Sequence, residues 1–426
     1  MNIEMYKVIS DLFPICRSIT GPGIKKSLKY FENLNPKFKR LKFKSGKKVF
    51  DWIIPYEWSI KDAYIEDIKS KKKFANFKDN NLHVLNFSSP INKIVSRKKL
   101  FDHLYSLKQQ PNAIPYVTSY YKKNWGFCIS EKDKKKLTKK KYRVRINSKF
   151  TKGYLDLSHA LYKGKNSKEI FFSSYLCHPS MANNELSGPA VLFKLANYIS
   201  KKKNLRFSYR FVLLPETIGS ICYINKFKDL LRKKMLCGFN ISCVGDSKNY
   251  SLISSREGNN LADVSLYEKI NRKKSFKFFS FLDRGSDERQ YCAPGIDLPI
   301  CGFSRTKYGE YKEYHTSEDN LNFVSKKGLK DSFEVLKNIV ESFENNFSWY
   351  TFPKSNFYCE PNLGKRNLYP NISEKDNYNK LNLRMDLIAY SDGKRNLIQI
   401  SKIIKKPLKD IIKELKILIK NKIISI

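Results

Sequence analysis

From residue 170 onward the chain alternates short apolar runs with helical ones, and this alternation is the strongest constraint on its fold. Residues 170–176, 207–214, 236–244 and 298–303 are strand-like and almost continuously apolar. Residues 187–200, 219–232, 259–271 and 325–345 carry helical periodicity. A strand apolar on both faces needs cover on both faces, and a parallel neighbour needs a crossover helix. The pattern therefore predicts an α/β fold, a mainly parallel mixed sheet flanked by helices.

The flanks have a different texture. Residues 41–130 hold short aromatic or alternating runs split by polar turns, which predicts a β-rich inserted module. Residues 141–161 add two strand-like runs around a Lys-Phe-Thr-Lys-Gly turn. Beyond residue 357, segments 381–389, 396–405 and 408–421 read as three short helices, with Pro407 at the start of the third. Residues 423–426 read as a short strand, and the set fits a winged helix. The expected domains are a helical part at 1–40, the β-rich module at 41–130, the α/β domain at 131–353 and the winged helix at 354–426.

Composition narrows the function classes. The formal net charge is +42, carried mostly by Lys spread along the chain together with abundant Asn and Ile. That spread reads as compositional drift and solvated faces more than as a nucleic-acid surface, although weak adhesion to polyanions follows from it. Lys402, Lys405, Lys406, Lys409 and Lys413 would give a winged helix phosphate contacts, but residues 408–421 hold no Arg or Asn cluster for base readout, so DNA is not the expected partner. No run of about 18 apolar residues predicts membrane insertion. The N-terminus lacks the basic-then-apolar build of a secretory leader, and the nine scattered Cys include no CxxC pair. A cytoplasmic location with reduced thiols is expected.

The chemistry concentrates at strand ends. His178 follows the first strand, Glu216 the second and Asp246 the third; His315 lies beyond the fourth. Parallel strands point their C-terminal ends the same way, so these groups can converge on one crevice. Two imidazoles and two carboxylates suit zinc or a similar divalent ion. The chain has five His in all, which gives two in such settings weight. Cys177 alternates to the opposite strand face and reads as core. Arg256, Arg284, Arg289 and Tyr308 stand in polar motifs near these ends and suit a substrate carboxylate or sugar acid. Asp287 reads as a helix cap or an orienting group.

The order His178, Asn184-x-x-Ser187-Gly188, Glu216, Asp246, Ser286-Asp287-Glu288 and His315-Thr316-x-x-Asp319 resembles the co-catalytic zinc exopeptidases typified by bacterial leucyl aminopeptidase and, more distantly, glutaminyl cyclase. With the segments 110–116 (QPNAIPY), 125–128 (WGFC), 255–259 (SREGN) and 308–311 (YGEY), the chain is more closely similar to a bacterial aminopeptidase-like family of unassigned function. That family is often associated with polysaccharide-biosynthesis loci and carries a β-rich insert and a C-terminal winged helix. The resemblance implies that His178 and Glu216 hold one zinc, Asp246 and His315 a second, and that position 184 bridges them. Here position 184 is Asn where the peptidases have Asp, so one ion or two are both open. The peptidases also have a Glu-Glu pair where this chain has Glu216 alone. Glu216, Glu185 and Glu288 are therefore the candidates for general base, with Ser286 and Asp319 as supporting groups. Zinc-assisted hydrolysis of an amide follows, at a peptide N-terminus or on an amino sugar. The rival reading is a catalytically degenerate metal- or glycan-binding protein acting in surface polysaccharide biosynthesis. A homo-oligomer is compatible with either.

Overall fold

The computed structural model describes residues 4–345, 351–369 and 375–426; the expected domain ranges also take in 1–3, 346–350 and 370–374, which lie outside the described residues. The chain divides into two compact units, Met1–Lys337 and Asn338–Ile426.

The first unit is built on an eight-stranded sheet. Its centre is four parallel strands in the order Ser208–Leu214, Glu169–Tyr175, Met235–Ile241 and Ile300–Ser304. Antiparallel strands Tyr154–Tyr162 and Lys39–Lys44 extend one side. On the other side Tyr250–Ile253 runs antiparallel to Ile300–Ser304, with Phe276–Phe279 beyond it. Every residue of Glu169–Tyr175 and Ser208–Leu214 is buried, as two-sided cover requires. Phe172 stacks between Phe211 and Phe239 at 5.2 and 5.4 Å, tying three strands together by cross-strand ring contact.

Helix Ser187–Ser200 lies so close to this sheet that a Cβ on Gly188 would stand 2.3 Å from Ser174 Oγ and 2.5 Å from the Ile241 carbonyl oxygen. Glycine at the helix start thus fixes the loop that follows His178.

A second sheet takes the order Lys73–Phe74, Glu57–Asp67, Lys141–Thr151, Ile91–Ser96. The expected module at 41–130 supplies three of these strands, and Lys141–Thr151 pairs between two of them. Its core, with Trp58, Ile65, Phe127 and Ile146, is continuous with Cys177, Ile218 and Cys222 of the α/β part. The β-rich layer therefore packs directly beneath the strand ends.

A buried polar group is anchored by Glu169, the first residue of its strand. Arg210 donates to both oxygens of Glu169 (2.6 and 3.0 Å), and His159 Nδ1 lies 3.1 Å from the Tyr223 hydroxyl. Burial first, then the Arg210 charge, depresses the His159 pKa from 6.5 to about 4. A depressed folded-state pKa means stability present above pH 6.5 and lost as pH falls through about 4. Urea midpoints are expected to drop over that window in the native protein and to drop less in His159→Gln; parallel curves would show that His159 does not contribute.

The second unit is a winged helix: helices Lys375–Tyr390, Leu397–Ile404 and Leu408–Lys420, with Lys354–Ser355 pairing antiparallel to Ile424–Ser425. Leu387, Leu397, Ile411, Leu415 and Leu418 form its core. Among the described residues, no helix is long and apolar enough to cross a membrane.

Candidate metal centre

The C-terminal ends of the central strands open on a cavity of about 520 Å³ whose wall includes His178, Glu216, Thr217, Arg289 and His315. Several residues here hold left-handed backbone that non-glycine residues seldom adopt: Ser180, Thr217, Cys243 and His315 have φ of 43, 65, 53 and 56°. Strain of this kind persists where surrounding contacts hold a side chain in one position.

His178 is the best-held group. Its Nδ1 faces Glu185 Oε2 at 2.5 Å, and the other Glu185 oxygen accepts from the Cys177 amide. Arg17 Nε donates to the His178 carbonyl at 2.9 Å, and Arg17 Nη1 to the Leu12 carbonyl at 2.6 Å. With Nδ1–H turned to a carboxylate, Nε2 faces the cavity, the arrangement that orients metal-binding imidazoles. Burial is outweighed by Cys177 and Glu185, which hold the His178 pKa well above its ordinary value, so an ion there would take the place of the Nε2 proton. His178 Nε2 stands 3.7 Å from Glu216 Oε2. Ser286 Oγ donates to the other Glu216 oxygen at 2.7 Å. Burial is the largest influence on Glu216 and raises its pKa, partly opposed by His178.

His315 stacks on Tyr314 at 3.9 Å, and its ring centroid lies 5.4 Å from that of His178. Burial first, then His178, lowers its pKa to about 3, so it stays a neutral imidazole. Its Nε2 is buried without a hydrogen-bond partner. The Asn184 side chain donates from Nδ2 to the Tyr175 hydroxyl at 3.1 Å, and its Oδ1 is likewise buried and unpartnered. Orphaned buried acceptors are costly in a packed interior, and a cation is the kind of group that satisfies them.

Other expected residues are placed differently. Asp246, expected with His315 on a second ion, is fully occupied: it accepts from the Thr306 amide (3.0 Å) and hydroxyl (2.8 Å), the Lys248 amide (2.9 Å) and Asn183 Nδ2 (3.3 Å). Glu288, a candidate base, accepts from the Gly285 and Ser286 amides (3.0 Å each), from Asn240 Nδ2 (2.8 Å) and from the Tyr308 hydroxyl. Tyr308 is thereby committed to Glu288, not to a substrate. Glu185, also a candidate base, has both oxygens engaged and positions His178. Arg256 pairs with Asp297 and borders a separate small cavity. Asp287 accepts from the Thr217 amide and the Ser220 hydroxyl (2.7 Å each), and burial raises its pKa to about 8. Arg289 reaches the cavity and donates to Thr217 Oγ1 at 2.7 Å. Asp319 accepts from the amides of residues 182, 183 and 184 and shapes the loop that carries Asn184.

Cys177, His178 and Glu185 bring ligand atoms within 4.8 Å of one another. Yet the Cys177 thiol is pushed up to about 12 by burial, and both Glu185 oxygens are engaged. The open face of His178 is the opposite one, toward Glu216. Arg17 lies outside every motif of the sequence; Tyr116 ends the 110–116 segment but carried no expected role, and its ring meets both imidazoles edge-on at 4.8 and 5.1 Å.

A family model described as a domain of unknown function, DUF4910, matches residues 6–346, and a winged helix-turn-helix model matches residues 351–426. A Clostridium acetobutylicum protein, provisionally named a polysaccharide biosynthesis protein with aminopeptidase-like domain, is 39% identical over 403 residues, covering 93% of this chain and 90% of the relative. A crystal structure of a provisionally named peptidase from Clostridium acetobutylicum matches with a TM-score of 0.85 and 35% identity, over 99% of this chain and 96% of that one. BSAP, a zinc aminopeptidase from Bacillus subtilis, matches at a TM-score of 0.58 and 16% identity, over 79% of this chain and 93% of that one. Zinc aminopeptidases are thus among the structural neighbours of the first unit's fold.

Proposed function

Because the chain belongs to the DUF4910 family through residues 6–346, with a winged helix after it, we propose that it is an aminopeptidase-like amide hydrolase working with one divalent metal ion. The observation that carries this reading is His315 Nε2, buried without a partner on the cavity wall that His178 shares; Asn184 Oδ1, on the loop after His178, is orphaned as well. His178, His315 and the Asn184 carbonyl oxygen would hold the ion, and two imidazoles favour zinc. When bound, zinc polarises a substrate carbonyl and makes water acidic enough to attack it.

The chain's own residues supply the rest. Glu216 is the carboxylate that reaches the cavity with an oxygen free, and its raised pKa suits a group that takes a proton from water and returns it to the leaving nitrogen. Ser286 fixes its orientation. Arg289, at the cavity wall, orients the polar part of the substrate. The substrate class is a peptide N-terminus or an acyl amide on an amino sugar, the second in keeping with the name of the Clostridium relative. We place the activity in the cytoplasm and give the winged helix a docking role rather than DNA readout.

The lone glutamate favours a second reading. Glu216 is preceded by Pro215 where the resembled peptidases carry a Glu-Glu pair, so one carboxylate must serve alone. A non-hydrolytic binding protein would tolerate that loss.

Turnover of aminoacyl p-nitroanilides and N-acylated amino sugars by the zinc-loaded full chain decides between the two. The hydrolase reading expects activity that Glu216→Gln lowers by ~10²–10⁴-fold while zinc stays bound. No turnover across both panels leaves the binding protein. Loss of zinc in Glu216→Gln would make Glu216 a ligand and overturn its role as base.

A further inference from the structure

We infer that the β-rich layer carries a binding groove for an acidic oligosaccharide, continuous with the cavity at His178. A second cavity, of about 640 Å³, opens in that layer and shares Tyr120 and Tyr121 with the first as a common wall. Each volume falls in the range of small-molecule sites, so together they admit a ligand of several ring units.

An aromatic path joins the two. Tyr116, edge-on to His178 and His315, meets the Tyr120 hydroxyl with its own at 2.5 Å. Tyr120 packs edge-on against Phe87 (5.7 Å) in the second cavity, and Tyr121 against Trp52 (5.1 Å) in the first. Tyr56 and Tyr121 nevertheless remain 45% and 53% exposed, with Ile53 at 59%. Ring faces left in water around a concave surface mark a site that is covered in use.

The charge is complementary to an acid. The second cavity has no Asp or Glu in its wall and carries Lys122 and Lys123, both exposed. Among the described residues, neither lysine has an acidic side chain at ion-pair distance.

The remaining features favour a sugar chain over other acids. A pyranose ring offers an apolar C–H face to tyrosine and hydroxyls to the rim, and a uronate carboxylate suits lysine. An extended peptide needs a free line of backbone donors, whereas Pro55 and Pro90 at this wall have no N–H. A nucleotide's phosphates call for a glycine-rich turn or a helix N-terminus, and the wall has neither.

The groove's part in turnover rests on the hydrolase reading; its existence does not. Titration calorimetry of the full chain with pentagalacturonate tests it. Binding is expected, with maltopentaose about tenfold weaker or worse, and with Tyr56→Ala, Tyr121→Ala and the Lys122→Glu/Lys123→Glu pair each weakening it by about tenfold. These side chains are exposed, and an unchanged melting temperature confirms that the variants fold. The His178→Ala/His315→Ala variant is expected to bind pentagalacturonate as the native chain does, which separates the groove from the metal. No binding, binding indifferent to all these groove variants, or tighter binding of pentaglutamate or uridine diphosphate with the same dependence would overturn the proposal. Turnover of peptide substrates alongside any of those results would leave the hydrolase reading standing.

Discussion

The purified protein is expected to carry close to one equivalent of zinc by elemental mass spectrometry, and the His178→Ala/His315→Ala variant to carry none. Removing both imidazoles leaves the Asn184 carbonyl oxygen, a neutral and weak donor, so the loss should be complete rather than graded. Asp246 cannot compensate, because four donors already fill its oxygens. The neutrality of the set has two consequences. It leaves the ion more electrophilic, and it makes the ion easier to remove by dialysis against a chelator. Asn184→Asp adds the missing charge and is expected to slow that removal. Glu185→Gln weakens the partner of His178 Nδ1 and is expected to cost about 10–100-fold in affinity. Two equivalents in the native protein would sink the single-ion reading. No zinc, even after expression with added zinc, would leave the orphaned His315 and Asn184 atoms without a cation to explain them.

The parts that were legible from sequence were those set by a periodic pattern. The apolar runs that became Glu169–Tyr175 and Ser208–Leu214 could only be buried strands, and the βα order then fixed which ends face the cavity. His178, Glu216 and His315, expected at those ends, line one cavity. Hydrogen-bond satisfaction is a different kind of fact, because it depends on partners distant in sequence. Asp246 sits at a strand end as expected, but Thr306, 60 residues later, turns both its amide and its hydroxyl onto it. Glu288 is filled by Tyr308 and Asn240 on other segments. Nothing local to either acid announces those donors. The same holds for Trp52, which reaches the site because the core of the β-rich layer is shared with Cys177 and Ile218, and for the role of Tyr116, which packs with Leu82 and Met181. Arg17 does carry a signal in the sequence. In a chain whose cations are mostly Lys, Arg17 lies between Cys16 and Ser18 in an otherwise small and apolar stretch. An Arg in such company is a buried fork, not a solvated charge.

Arg17→Met is accordingly expected to be the most damaging single substitution, at about 3–5 kcal/mol in chemical denaturation. The guanidinium is fully buried, bridges the Leu12 and His178 carbonyls, and is a cation close enough to Glu185 for that carboxylate to favour its charged form against the burial that lowers its pKa. Its removal strands two carbonyls and takes from Glu185 the buried cation beside it, leaving His178 Nδ1 as its partner. Arg17→Lys keeps the charge but replaces the planar guanidinium fork by a shorter, point-like ammonium, so an intermediate loss of about 1–3 kcal/mol is expected. Packing alone would predict the reverse order, since Met fills the space more naturally than Lys does. The electrostatic part is isolated by adding Glu185→Gln to Arg17→Met. Once the cation is gone, neutralising the carboxylate should recover part of the lost stability, although the same change in the native background destabilises. Strict additivity of the two substitutions would show that Arg17 acts through its hydrogen bonds and not through the Glu185 charge. A positive coupling would tie the hold on the His178 backbone and the hold on its imidazole into one buried unit, reaching from the N-terminal segment to the cavity.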